Sequence, residues 1–171
     1  LKELVERNDL KIIYEDPRTS TPGQGLLLWV KQVYGDKAPA AWEQLAKKTV
    51  TVTKGWSEAY GMFLKGQSDL VLSYTTSPAY HRLAEHNLQY RAALFSEGHV
   101  RQVEVAGQLK NAAQPKLAQQ FMQFMLTERF QNLIPEGNWM YPVTNVTLPK
   151  DFNQNETPAK TLSVDAKKLG T

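Results

Sequence analysis

Apolar positions along this chain fall into two periods, and the switches between them mark its elements. Thr49-Val50-Thr51-Val52-Thr53 is β-branched throughout and predicts a strand. Lys11 to Tyr14 predicts a shorter strand closed by Asp16-Pro17, and Asp69 to Ser73 a further, buried one. Val103 and Val105 alternate with Gln102 and Glu104, which predicts another strand. Helical periodicity runs through the end of a short helix at Leu1 to Glu6, then Gly25 to Tyr34. It returns from Pro39 to Lys48, from Ser57 to a stop at Gly66, and from Ser77-Pro78 to about Glu85. Gln114 to Leu133 predicts the longest helix, with Leu117, Phe121, Phe124 and Met125 forming one apolar stripe. Strands alternating with helices over short connections predict an α/β fold, a three-layer sandwich. From Pro142 the pattern fades, so residues 1–142 read as a compact body and 143–171 as an extended tail, loosely held.

Composition narrows the function. At 171 residues and 42% apolar, the chain can bury a core. Twenty Lys and Arg against 17 Asp and Glu, without a dense basic cluster, argue against nucleic-acid binding. No cysteine occurs, which removes disulfides, a thiol nucleophile and thiolate metal sites from these residues. No apolar run approaches the roughly 18–20 residues that span a bilayer. Leu1-Lys2-Glu3-Leu4 begins abruptly, as a cut chain would, and carries no secretory signal.

Candidate chemistry gathers in four loops, each where a strand-like run ends. They are Thr19 to Gly23, Lys54 to Ser57, Ser73 to Tyr80 and Gly137 to Pro142. Ligands of open α/β folds sit at strand carboxyl ends, against the N-termini of the next helices. Ser20 and Thr21 can cap a helix, the commoner use of such residues, or face an anion. Gly23-x-Gly25 is only a fragment of a dinucleotide fingerprint. Trp56 follows Gly55 and could line a site or lie back on the core, while Trp29 and Trp42 sit inside helical runs and read as core. Tyr74 closes a strand, and Tyr80 stands near the start of the next helix. Between them Thr75, Thr76, Ser77 and Pro78 form a turn able to donate or to cap. Trp139 is bracketed by Gly137 and Pro142, which hold a large ring on a turn. Flat aromatic faces suit a flat ligand, and a cationic one best.

The remaining polar residues carry less. His81 and His86 lie five apart, off the spacing that joins two ligands on a helix, and His99 stands alone; all three read as surface residues. Glu97, Glu104 and Asp69 are scattered, so neither a metal site nor a carboxylate pair is expected. Asn145-Val146-Thr147 and Asn155-Glu156-Thr157 match a glycosylation acceptor pattern that often occurs by chance.

At these loops the sequence resembles the thiamine-binding solute receptors of bacterial ABC importers. The matching runs are Tyr14 to Gly23, Lys47 to Gly61, Asp69 to His81 and Gly137 to Pro142, within a resemblance extending from Leu1 to about Pro158. It implies one lobe of a type II periplasmic-binding-protein fold, with a tail that would return to a missing first lobe. Such receptors are about twice this long, so the chain reads as a fragment beginning near the crossover into the second lobe. The implied ligand is thiamine or its mono- or diphosphate, carried rather than used as a cofactor. The implied partners are a membrane permease and its ATPase, in the periplasm. By resemblance Tyr80 and Trp139 are walls that sandwich the ligand rings, and Trp56 and Tyr74 are polar–aromatic contacts. Ser20, Thr21 and the turn from Thr75 to Pro78 face the hydroxyl or phosphate end. Two alternatives stay open: a ferric-ion or small-anion receptor using Tyr74 and Tyr80, and a thiamine-degrading enzyme with its cysteine in the missing half.

Overall fold

The computed structural model describes residues 1–154 and 156–163. Its contacts divide the chain into two compact units. Among the described residues, the first comprises 1–74, 94–102 and 158–163; the second comprises 75–93, 103–154 and 156–157. This division differs from the expected cut at residue 142.

The first unit is built on three parallel strands in the order β2-β1-β3: β1 (Ile12–Glu15), β2 (Thr49–Thr53) and β3 (Leu70–Val71). Helices α2 (Thr21–Tyr34) and α3 (Ala38–Lys48) supply one covering layer. Leu26, Val30, Ala41 and Leu45 from these helices join Ile12, Leu1 and Val5 in a single core cluster. Full burial of each large aliphatic side chain contributes about 1.5–3 kcal/mol. Strand alternation turns Ile13 and Glu15 away from that cluster. Helix α4 (Trp56–Leu64) packs on the sheet with Ala59 and Tyr60 buried. The expected helices Gly25 to Tyr34 and Ser57 to Gly66 are therefore present, each starting slightly earlier than the sequence pattern indicates.

Two local devices, one polar and one steric, tie this unit together. The short helix α1 (Lys2–Glu6) ends on Lys48, whose buried ammonium donates to the carbonyls of Leu4, Val5 and Arg7. A cation at a helix C-terminus is the favourable sign for its dipole. Gly23 supplies the second: a Cβ there would lie 2.4 Å from the Glu15 carbonyl oxygen, so only glycine lets α2 begin this close to β1. A two-stranded pair of β4 (His99–Val100) and β5 (Thr161–Leu162) completes the unit.

The second unit holds α5 (Ser77–Ala84), α6 (Pro115–Met125), α7 (Glu128–Gln131) and α8 (Ile134–Gly137). The single long helix expected from Gln114 to Leu133 is interrupted. Thr127 takes an extended backbone and accepts a hydrogen bond from Phe130 N–H, so it ends one helix and caps the next. The strand expected at Gln102 to Val105 is absent: those residues pair with no described strand, and Val105 is 89% exposed. Alternation alone cannot make a strand that has no neighbour.

The expected loose tail is also corrected over part of its length. Phe152 and Glu156 are buried, and Arg82 donates to the carbonyls of Asp151 and Phe152 and to Glu156 Oε2 at 2.6 Å. Asn155, the acceptor of the second glycosylation pattern, and residues 164–171 of the predicted tail lie outside the described residues.

Candidate functional site

The first two loops and the start of the third, Ser73 and Tyr74, lie in the first unit; the rest of the third loop and the fourth lie in the second. In the first unit Thr19 Oγ1 donates to the Lys54 carbonyl at 2.7 Å, and Asp16 N–H donates to the Thr53 carbonyl at 2.9 Å, joining the first two loops. Ser20 is a buried N-cap whose Oγ accepts from Gly23 N–H at 3.5 Å, while Thr21 is exposed as the first residue of α2. The capping reading of Ser20 therefore holds locally.

Trp56 opens α4 instead of preceding it. Glu58 Oε2 reaches back to the backbone N–H groups of Lys54 and Gly55 and fixes that helix start. The indole stacks on Tyr60 with centroids 4.7 Å apart and planes 22° apart, and its Nε1 donates to Ser73 Oγ at 2.8 Å. One ring face is thereby occupied, yet the side chain stays exposed. Half-buried Tyr74 accepts a hydrogen bond on its hydroxyl from Gln102 Nε2 at 3.1 Å.

In the second unit the third loop meets the fourth. Thr76 is buried with its Oγ1 4.0 Å from Met140 Sδ, and its carbonyl accepts from Ala79 N–H. Thr75 and Ser77 are half-buried, and Pro78 is buried within the first turn of α5. The rings of Tyr80 and Trp139 lie 5.2 Å apart with planes 83° apart, a corner and not the parallel pair that a sandwich between them requires. Trp139 has a φ of 54°, a conformation that a bulky residue rarely adopts. The Tyr80 hydroxyl hydrogen-bonds Glu85, which raises the Tyr80 pKa.

The expectation of three surface histidines fails at two of them. His81 is buried, with Nδ1 2.6 Å from Glu85 Oε2 and its ring 4.0 Å from that of Tyr90. The carboxylate and the stacked tyrosine satisfy it inside the unit. His99 is half-buried, accepts from Phe95 N–H on Nε2 and packs on Trp29; burial lowers its pKa. His86 is exposed.

Sequence reasoning missed the residues that hold the aromatics. Tyr60 could have been found, since it stands one helical turn after Trp56. Glu85 follows His81 at the same spacing and Ser73 opens the third candidate loop, but Gln102 carries no sequence signal for its contact. A separate open cavity of about 640 Å³ in the first unit is lined by Tyr14, Trp42, Leu27 and Val52, with Asp16 and Arg18 paired at 2.5 Å. Gly23, at the end of the first loop, also lines it, but none of the predicted ligand-contact residues does. Among the described residues, no group of three or more His, Asp or Glu side chains could hold a metal ion.

Comparison with known proteins gives this geometry a family. The chain is 68% identical over 163 residues to the thiamine-binding periplasmic protein of Escherichia coli (strain K12), covering 95% of this chain and 50% of that one. It is 52% identical over 167 residues to the thiamine-binding periplasmic protein of Brucella abortus biovar 1 (strain 9-941), covering 96% and 50%. The chain thus spans about half the length of these curated relatives. A solved periplasmic thiamin binding protein superposes with a TM-score of 0.94 at 64% identity, covering 99% of this chain and 54% of the other. These relatives are named as binding proteins, and the fold is that of one lobe of a periplasmic solute receptor. Residues 8–132 match the model of the bacterial extracellular solute-binding proteins, and the chain belongs to that family.

Proposed function

We propose that this chain is the second lobe of a periplasmic thiamine receptor. The receptor captures thiamine or its mono- or diphosphate and delivers it to a membrane permease driven by an ATPase. It binds its ligand without transforming it. The observation that carries this reading is that Trp56, Tyr74 and Tyr80 keep accessible ring surface while hydrogen bonds to Ser73, Gln102 and Glu85 fix their orientation. A ring immobilised before the ligand arrives loses little side-chain entropy on binding. Aromatic faces attract a desolvated thiazolium cation by about 0.5–2 kcal/mol per contact. The names of the relatives support thiamine as the ligand.

Within the second unit, the Tyr80–Trp139 corner receives a ligand ring, and Thr75, Thr76 and Ser77 with Pro78 form the adjacent donor turn. Within the first unit, Ser20, Thr21, Trp56 and Tyr74 are proposed ligand contacts. The ferric-ion alternative needs phenolate ligands, but the hydrogen bond to Glu85 raises the Tyr80 pKa and disfavours its phenolate. Tryptophan fluorescence of the complete receptor, titrated with thiamine, ferric ion and inorganic phosphate in parallel, tests the reading. Saturable quenching by thiamine is expected, and a response to ferric ion or phosphate alone overturns it.

A further inference from the structure

Helix α6 in the second unit is more apolar than its own packing requires. Ala118, Met122 and Met125 fall on one stripe and are half-buried. Leu117, Phe121 and Phe124 form a neighbouring stripe and are 60%, 54% and 40% exposed. Phe124 and Phe121 touch Phe130 at centroid distances of 5.6 and 6.3 Å, and Leu126 beyond the helix end is exposed too. A surface helix packs through a single stripe about 100° wide, so the second stripe marks a second packing partner. The polar side carries Lys116 and three uncharged residues, Gln119, Gln120 and Gln123, not the cationic face of a helix that lies on a membrane.

The relatives indicate what that partner is. The chain aligns over 95% of its length, α6 included, to only 50% of the Escherichia coli protein, so as many residues again accompany this lobe there. We propose that Leu117, Phe121 and Phe124 are a packing face for that other half of the polypeptide, an internal interface of the complete receptor. The inference rests on the reading of this chain as one lobe of a longer receptor.

The absence of cysteine allows a direct test. Leu117→Cys and, as a control on the polar side, Gln120→Cys are made in the 171-residue chain. Both are also made in a full-length chimera in which this chain replaces the matched half of the Escherichia coli protein. Labelling by a thiol reagent is followed at the substituted peptide by mass spectrometry. Leu117→Cys is expected to react at least tenfold more slowly in the chimera than in the 171-residue chain, while Gln120→Cys reacts alike in both. Equal rates at Leu117→Cys overturn the proposal. So does protection already present in the 171-residue chain with sedimentation as a dimer, because a second copy is then the occupant. Thiamine titration of the chimera separates the two readings: protection without thiamine binding supports the packing face and removes the receptor assignment.

Discussion

Tyr80 and Trp139 meet edge to face, centroids 5.2 Å apart and planes 83° apart, although 59 positions separate them in the chain. Each is fixed by a different cause. Tyr80 stands in α5 and is tethered through its hydroxyl to Glu85, while Trp139 is held at a φ of 54° on the turn after α8. A strained backbone around a large aromatic persists only where the surroundings over-determine it, and such positions cluster at ligand sites.

Removing either ring should therefore weaken ligand binding more than it weakens the fold. Tyr80→Ala and Trp139→Ala, each in the complete receptor, are expected to cost at least about 1 kcal/mol of thiamine binding, roughly a fivefold loss. Isothermal titration calorimetry reads this directly. Unchanged affinity in both variants would remove the aromatic corner from the binding model.

Ser20 carries a double expectation. Its Oγ caps α2, so Ser20→Ala should lower unfolding stability by about 1 kcal/mol. The same helix start favours an anion. Ser20→Ala combined with Thr21→Ala should therefore weaken thiamine diphosphate binding more than thiamine binding. Equal losses for both ligands would confine these residues to capping.

Much of this was legible in the sequence where a local rule decides the outcome. The β-branched run Thr49 to Thr53 is a strand, Ser20 is a cap, and the Pro39 region opens a helix, because each depends on neighbours a few residues away. Failures occurred where a distant partner decides. Val103 and Val105 alternate correctly but lack a neighbouring strand. The residues near Phe152 are held by Arg82, 70 positions earlier. His81 is buried although its partners Glu85 and Tyr90 are near in sequence, because the Tyr90 contact lies beyond the helix that carries His81. The break at Thr127 had a local signal, a threonine able to cap, which the continuous apolar period concealed. The aromatic loops were visible by composition, but the right angle between Tyr80 and Trp139 is a tertiary fact.

Gly23 predicts an intolerant position outside the candidate site's aromatics. A methyl group there meets backbone of β1 and its following turn, 2.4 Å from the Glu15 oxygen and 2.9 Å from Asp16 carbon and Pro17 nitrogen. No side-chain rotation relieves a clash with main chain. Gly23→Ala should cost about 1–3 kcal/mol by overpacking, despite the better helix propensity of alanine. Gly25→Ala in the same helix, with open space around its Cβ, is the control and should be neutral or slightly stabilising. Urea unfolding of both variants checks the contrast, and equal midpoints would show that α2 can shift off the sheet.

Glu15 gives the fold a pH dependence of unusual sign. The side chain is 0% exposed at the end of β1, and neither carboxylate oxygen has a hydrogen-bond partner. Burial raises its pKa from 4.5 to about 7, opposed only in part by its own nearby backbone N–H. Below pH 4.5 the carboxyl is protonated in folded and unfolded chains alike, and it contributes no pH dependence. Between about 4.5 and 7 the unfolded chain releases the proton that the folded chain retains, so this residue makes stability fall as pH rises. Above 7 both states are ionised and the penalty is constant, on the order of 3 kcal/mol for a shift of this size. Glu15→Gln keeps the shape and removes the titration. Its stability relative to the parent chain should therefore improve progressively from pH 4.5 to pH 8, by up to that amount. Urea unfolding of the two proteins at pH 4.5, 6 and 8 measures the difference, with every other titrating group common to both. Parallel profiles across that range would mean that Glu15 ionises in the folded chain as easily as in water, and its burial without a partner would have to be abandoned.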